Sequence, residues 1–128
     1  MQKVAPRPLR IAFSCAHGRS SEATARIFKK IASGLEVCQS GIGIERKGHE
    51  DIIKNFKPDV LFSFFIPPDY ATPALRVVKR SEWLTDEDPN NLTHFKNTGP
   101  LLGVPNADEL DIHHALCALH WLSKNRLI

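Results

Sequence analysis

The feature that most constrains the fold of this chain is an alternation of short apolar runs with segments of helical periodicity. The apolar runs occupy residues 9–15, 35–41, 57–65 and 100–105, and the segments with a helical pattern occupy 20–32, 49–56 and 111–127. Strands that alternate with helices are typical of βαβ units, in which the strands run parallel. The pattern predicts a three-layer α/β sandwich with a central, mostly parallel sheet of about four strands.

The boundaries of these elements follow from the residues that flank them. Ser20 or Ser21 is a suitable N-cap for the first helix, and Gly34 is suited to end it. The segment 74–84 fits either a helix or a strand. The segments predicted to be loops are 41–48 and 85–99.

Length, charge and cysteine content restrict the class of protein. The 128 residues are enough for one domain, predicted over 9–128 after a loose tail at 1–8 that lacks the apolar core of a signal peptide. No apolar run is long enough to cross a membrane, and a net charge of +3 is too small to indicate nucleic acid as a partner. An odd number of cysteines, three in all, is typical of a reducing compartment, so we expect a cytoplasmic protein.

The first predicted strand-to-helix turn carries the residues most suited to chemistry. It reads Cys15-Ala16-His17-Gly18-Arg19-Ser20-Ser21. A helix N-terminus presents free backbone N–H groups, and with the guanidinium of Arg19 it favours a phosphate group. The hydroxyls of Ser20 and Ser21 are candidates to donate further hydrogen bonds to the same phosphate. The same field lowers the pKa of a cysteine thiol. The turn is therefore either an anion site beside a nucleophilic Cys15 or an ordinary turn with a core cysteine.

Several motifs, in this order, resemble the low-molecular-weight protein tyrosine phosphatases and their arsenate-reductase relatives. The motifs are "RIAFSC", "RSSEATARIF", "QSG", "HEDIIKNFKPDVLFSFF" and "LLGVPNADELDIHHALCALHWL", and together they span residues 9–122. The resemblance implies a phosphate loop that begins at Cys15, the nucleophile. It also implies that Arg19 and the backbone of 16–20 bind phosphate and that Ser20 helps the thiolate to leave.

The chain departs from the pattern of that family at two places. The family has five residues between the cysteine and the arginine, whereas this chain has only Ala16, His17 and Gly18 there. The family's general acid is an aspartate, and Asn106 stands at that place, so Asp108 is the substitute candidate.

The function that the resemblance implies is hydrolysis of a phosphate monoester, by likeness a phosphotyrosine, through a cysteinyl-phosphate. This mechanism requires neither a metal nor an organic cofactor, and the partner would be a phosphorylated small molecule or a phosphoprotein. Tyr70, in "IPPDYATP", is a candidate for the rim of the same cleft. Because the loop is short, a non-catalytic phosphate-binding or sensor domain of the same fold is an alternative.

Two further patterns have weaker implications. "KPDVLFSFFIPPDY" also resembles folate-dependent formyltransferases, although Asn91 and His94 lack the N-x-H spacing of that family. His113, Cys117 and His120 share one side of the last predicted helix, where a His-rich exposed face is commoner than a zinc site. We therefore predict no metal site. Trp83 and Trp121 are expected in the core or at an interface.

Overall fold

The fold is an α/β sandwich, as the alternation of strands and helices predicts. The computed structural model describes residues 8–32, 34–38, 41–43, 45, 47–64, 76–84 and 109–128. In chain order the elements are β1 (Arg10–Cys15), α1 (Arg19–Ile31), β2 (Glu36–Val37), β3 (Ile42–Gly43), α2 (His49–Phe56), β4 (Val60–Ser63), β5 (Arg76–Val78), α3 (Arg80–Trp83) and α4 (Glu109–Lys124). The segments 1–7, 65–75 and 85–108 lie outside the described residues, and with them most of the predicted tail and the predicted strand at 100–105.

The strands form one sheet in the order β2–β1–β4–β5, with β3 also paired to β1 and every described pair parallel. β2 and β3 lie on the side of β1 opposite β4, because Ile11 and Ser14 each have partners on both sides. The strand order reverses between β1 and β4. The carboxyl ends of strands beside such a reversal are where open α/β sheets bind their ligands.

The two faces of the sheet are covered by different helices. α1 and α4 pack on one face over a large core that includes the aromatic rings of Phe13, Phe28, Phe62, Phe64, Trp83 and Trp121. α2 packs on the other face over a smaller core formed by Ala12, Cys38, Ile42, Ile53 and Leu61. Alternate residues of β1 and β4 supply the two cores, as the period of two in a strand requires.

Three predicted boundaries need correction. Among the described residues of the strand predicted at 35–41, only β2 is in a strand. The predicted loop at 41–48 contains β3, since Ser14 and Cys15 of β1 pair with Ile42 and Gly43. The ambiguous segment 74–84 contains both kinds of structure, β5 followed by α3. These differences arise because the elements are only two to four residues long and are stabilised by neighbours distant in sequence.

The first helix begins without the predicted serine cap. Gly18 is its N-cap, with a φ of +86° that glycine adopts without strain, and no side chain caps the helix. Ser20 is exposed, whereas Ser21 is buried and makes its hydrogen bonds beneath the turn. The helix ends at Ile31, three residues before Gly34, which also has a positive φ.

Helices long and apolar enough to cross a membrane are absent from the part of the chain that the structure describes.

Candidate functional site

The candidate site lies where β1 ends and α1 begins. Cys15 is the last residue of β1, and the chain turns through residues 16–18 before α1 starts at Arg19. This turn is at the carboxyl edge of the sheet, beside the reversal of strand order between β1 and β4. The fold thus brings the sequence-predicted cysteine turn to the edge where ligands bind.

The sulfur of Cys15 is enclosed by the turn that follows it. The residue is 5% exposed. The backbone N–H of Gly18 donates to Sγ at 3.0 Å, and the Oγ of Ser21 lies 3.3 Å from Sγ. The left-handed backbone of Gly18 is what turns its N–H back toward the sulfur. The sulfur therefore has polar partners even though it belongs to the aromatic core.

These contacts lower the pKa of the Cys15 thiol. Burial on its own raises that pKa, because it disfavours the charged thiolate. The hydroxyl of Ser21 and the backbone N–H groups of Ser21, Gly18 and His17 oppose burial, and their combined effect is larger. The positive end of the α1 dipole also lowers the pKa of Cys15, because it stabilises the thiolate.

The hydroxyl of Ser21 has a suitable partner in either protonation state of Cys15. It donates to the carbonyl oxygen of Gly18 at 3.1 Å while the thiol donates to it. Loss of the thiol proton allows the hydroxyl to rotate and donate to the sulfur instead. Ser21 is thus placed to stabilise the thiolate, which is the nucleophilic form of cysteine.

Two glycines of the neighbouring segment make room for the turn. A Cβ added to Gly41 would lie 1.8 Å from the carbonyl oxygen of Gly18, and a Cβ added to Gly43 would lie 2.6 Å from the carbonyl carbon of His17. Both clashes involve backbone atoms, so a side chain at either position would displace the turn. The spacing of Gly41 and Gly43 therefore belongs to the architecture of the site.

A second contact holds the turn against the segment after β3. The backbone N–H of Glu45 donates to the carbonyl oxygen of Ala16 at 3.0 Å. The carboxylate of Glu45 also lies 3.5 Å from Nε2 of His17, and both side chains are well exposed. His17 is therefore at the rim of the site, with a carboxylate beside its ring.

The remaining predicted site residues are not brought against the sulfur. Arg19 and Ser20 are exposed, and the guanidinium of Arg19 makes no hydrogen bond or ion pair within the described parts of the chain. Ser21 occupies the position beside the sulfur that the resemblance implies for Ser20. The positions Asp108, Asn106, Tyr70, Asn91 and His94 lie outside the described residues.

The histidines and cysteine of the last helix line a separate cavity. Nε2 of His113 lies 3.6 Å from Sγ of Cys117, and His120 follows one turn later. Within the described segments, no three His, Cys, Asp or Glu side chains are grouped closely enough to hold a metal ion.

The sequence predicts the turn and its cysteine but not all of the residues that shape the turn. Ser21 was a candidate only for phosphate binding and for the helix cap, because a sequence does not show which of two adjacent serines faces inward. The glycines Gly41 and Gly43 did leave a signal, the "GIG" spacing directly after a strand. Glycine beside a strand often marks a close approach of another backbone.

Comparison of the chain with protein-family models, with curated proteins and with solved structures finds no match in any of the three.

Proposed function

We propose that the turn at residues 15–21 binds the phosphate group of a phosphate monoester and that Cys15 attacks its phosphorus. The observation that carries this proposal is the sulfur of Cys15, with its lowered pKa, at a strand-to-helix junction. A thiolate in such a position is both the reactive form of cysteine and a neighbour of the helix N-terminus that attracts phosphate.

The proposed reaction has two steps. In the first, the thiolate of Cys15 forms an S–P bond while the P–O bond to the alcohol or phenol breaks, and a general acid protonates the leaving oxygen. Asp108 is the candidate acid. In the second, water attacks the phosphorus, the S–P bond breaks and inorganic phosphate leaves. The hydroxyl of Ser21 stabilises the departing thiolate, since it lies 3.3 Å from Sγ.

Arg19 supplies the positive charge that phosphate binding needs. It is the first residue of α1 and its side chain is exposed. Rotation of its side chain brings the guanidinium over the mouth of the turn, where it pairs with two phosphate oxygens. By resemblance to the tyrosine phosphatases, the substrate class is an aryl phosphate, on a small molecule or a phosphoprotein.

A second candidate function is anion binding without catalysis, and the short turn favours it. Only three residues separate Cys15 from Arg19, and the N–H of Gly18 is directed at the sulfur rather than outward. Fewer backbone donors therefore remain for the developing charge of a transition state, where each is typically worth about 3 kcal/mol.

Turnover of p-nitrophenyl phosphate, with release of inorganic phosphate, distinguishes the two functions. We expect the wild-type chain to be active, Cys15→Ser to be inactive and Arg19→Lys to be impaired, because lysine lacks the two-pronged geometry of arginine. Cys38→Ser is the matched control, since Cys38 is equally buried but on the other face of the sheet, and it should retain activity.

The outcomes separate the proposals. An inactive wild type that binds vanadate or sulfate in an Arg19-dependent manner supports the anion-binding function and contradicts the phosphatase. A wild type that neither turns over the ester nor binds these anions contradicts both.

A further inference from the structure

A cavity beside β5, lined by none of the residues 15–21, has the features of a second binding site. Its volume is about 580 Å³, and it runs along α4 between that helix, α3 and the start of β5. Arg76 is the first residue of β5 and pairs with Val60, the first residue of β4, so the cavity reaches the amino edge of the sheet. Pockets for small molecules commonly measure about 300–1,000 Å³.

The cavity contains an arginine that is already held in place. Cζ of Arg76 lies 4.8 Å from the centroid of the Trp121 ring, a cation–π contact. The Trp121 ring is itself fixed, because it is 7% exposed and packs edge-on against Phe62. The guanidinium of Arg76 makes no hydrogen bond with the residues that the structure describes. A stacked guanidinium keeps its N–H groups for a carboxylate or phosphate, and it loses little side-chain freedom on binding one.

The charge of the cavity favours an anion. Lys124, in the last turn of α4, and His120 also line the cavity. The acidic side chain in the lining is Glu82, and its Oε1 already accepts the backbone N–H of Lys79 at 2.9 Å, at the start of α3. The lining therefore carries two cationic side chains, those of Arg76 and Lys124, and one carboxylate that already accepts a backbone hydrogen bond.

The apolar part of the lining indicates what the anion is attached to. Leu116 of α4 is half-buried and lines the cavity, as do Trp83 and Trp121. Trp83 is anchored by its indole N–H, which donates to the carbonyl oxygen of Ser63 at 2.9 Å. An inorganic ion would leave this apolar surface uncovered, whereas a planar hydrocarbon body would cover it.

We propose that this cavity binds a small organic anion, with its oxyanion group on the Arg76 guanidinium and its apolar body against Leu116 and Trp121. The proposal does not depend on the chemistry of Cys15. It assigns a second ligand site to the side of β5, lined by none of the residues of the turn that begins at Cys15.

Intrinsic fluorescence reports on this cavity, because both tryptophans of the chain line it. The probes are benzoate and phenylphosphonate, which differ in the oxyanion group, and inorganic phosphate, which lacks an apolar body. We expect a saturable fluorescence change with at least one aromatic probe. Inorganic phosphate should bind at least about tenfold more weakly, because burial of even one small apolar group strengthens binding by about that factor.

Variants locate the binding. Arg76→Ala and Arg76→Lys should each weaken binding of the aromatic probe by at least about tenfold, because each variant loses hydrogen bonds between the guanidinium and the charged oxyanion group. Lys124→Ala should weaken it by up to about fivefold, as for an exposed ion pair. Arg26→Ala, an exposed arginine of α1, is the matched control and should bind normally. Calorimetry with the same probe confirms the affinities, since Arg76 variants change the surroundings of Trp121.

Three results with the aromatic probes would overturn the proposal. They are the absence of saturable binding of either aromatic probe, unchanged affinity in the folded Arg76→Ala chain, and loss of binding in Arg19→Ala with Arg76→Ala unaffected. The last result would place the anion at the cysteine turn instead. Equal affinity for inorganic phosphate would also contradict it, because the apolar wall would then contribute nothing.

Discussion

The two faces of the sheet are built from the same strands but differ in the size and composition of their cores. On the face of α1 and α4, a large aromatic core surrounds the sulfur of Cys15 and the indole N–H of Trp83, and both have hydrogen-bond partners. On the face of α2 the core is smaller. Among the described residues, the buried hydroxyls of Ser14 and Ser63, like that of Thr24 in α1, have no hydrogen-bond partner. The candidate site is thus built on the face with the larger core, where packing fixes the position of the sulfur.

The largest expected effect comes from breaking the aromatic face. Phe62 is fully buried, and its ring contacts those of Phe13, Trp83 and Trp121. Phe62→Ala should lower the free energy of unfolding by about 3–5 kcal/mol, because it leaves a cavity among these rings. Leu61 is the adjacent residue and faces α2, and Leu61→Ala should lower the free energy of unfolding by about 2–3 kcal/mol. Urea denaturation measures both, and an equal or larger loss at Leu61 would contradict the difference between the faces.

A smaller effect is expected where the backbone of the turn meets β3. Gly43→Ala places a Cβ against the backbone of His17 and should lower the free energy of unfolding by about 1–3 kcal/mol. It should also raise the pKa of Cys15, because the turn that stabilises the thiolate is displaced.

Gly34→Ala is the control for that variant. Gly34 has a positive φ but nothing within 4 Å of an added Cβ. Gly34→Ala should lower the free energy of unfolding by about 1–2 kcal/mol through backbone strain alone and leave the pKa of Cys15 unchanged. A Gly43→Ala chain with an unaltered Cys15 pKa would show that the glycines do not support the site.

Ser21 and Ser20 provide a matched pair at the site. Ser21→Ala should lower the free energy of unfolding by about 1 kcal/mol, since it removes the buried hydroxyl that contacts Sγ and the Gly18 carbonyl. Ser20→Ala should change it by less than about 0.5 kcal/mol, because Ser20 is exposed. Thermal unfolding compares the two, and the reverse order would place the wrong serine at the sulfur.

The smallest effect, and one of opposite sign, is expected on the face of α2. Ser63→Ala removes a buried hydroxyl that has no hydrogen-bond partner in the described parts of the chain, so it should leave stability unchanged or raise it by up to about 1 kcal/mol. Denaturant titration beside the Ser21→Ala chain measures the contrast. A clear loss of stability in Ser63→Ala would contradict this prediction, since it would mean that the hydroxyl makes a stabilising hydrogen bond.

The elements that the sequence predicted correctly are the ones with a strong local signal. β1 and β4 are continuous apolar runs, and α1 carries an apolar stripe, so their type follows from periodicity. The parallel sheet follows from the order of these elements. β3 escaped prediction because two residues, Ile42 and Gly43, have no periodicity and owe their conformation to pairing with β1.

The candidate site was predictable in part for the same reason. Cys15 and the turn were found because a strand end, a glycine and a helix start lie together in the sequence. The inward position of Ser21 was not predictable, because it depends on the left-handed conformation of Gly18 and on the close approach of Gly41. The cavity beside Arg76 was not predicted, since it joins residues of α3, α4 and β5 that are far apart in the chain.

The central claim is that the folded chain stabilises Cys15 as a thiolate. The direct test is ultraviolet titration of thiolate absorbance in a Cys38→Ser, Cys117→Ser chain, where Cys15 is the one cysteine left. The account predicts a midpoint below the pKa of about 8.5 of an unperturbed cysteine, and a rise toward or above that value when Ser21→Ala is added. A midpoint at or above 8.5 with Ser21 intact, or one that does not move in Ser21→Ala, would contradict it.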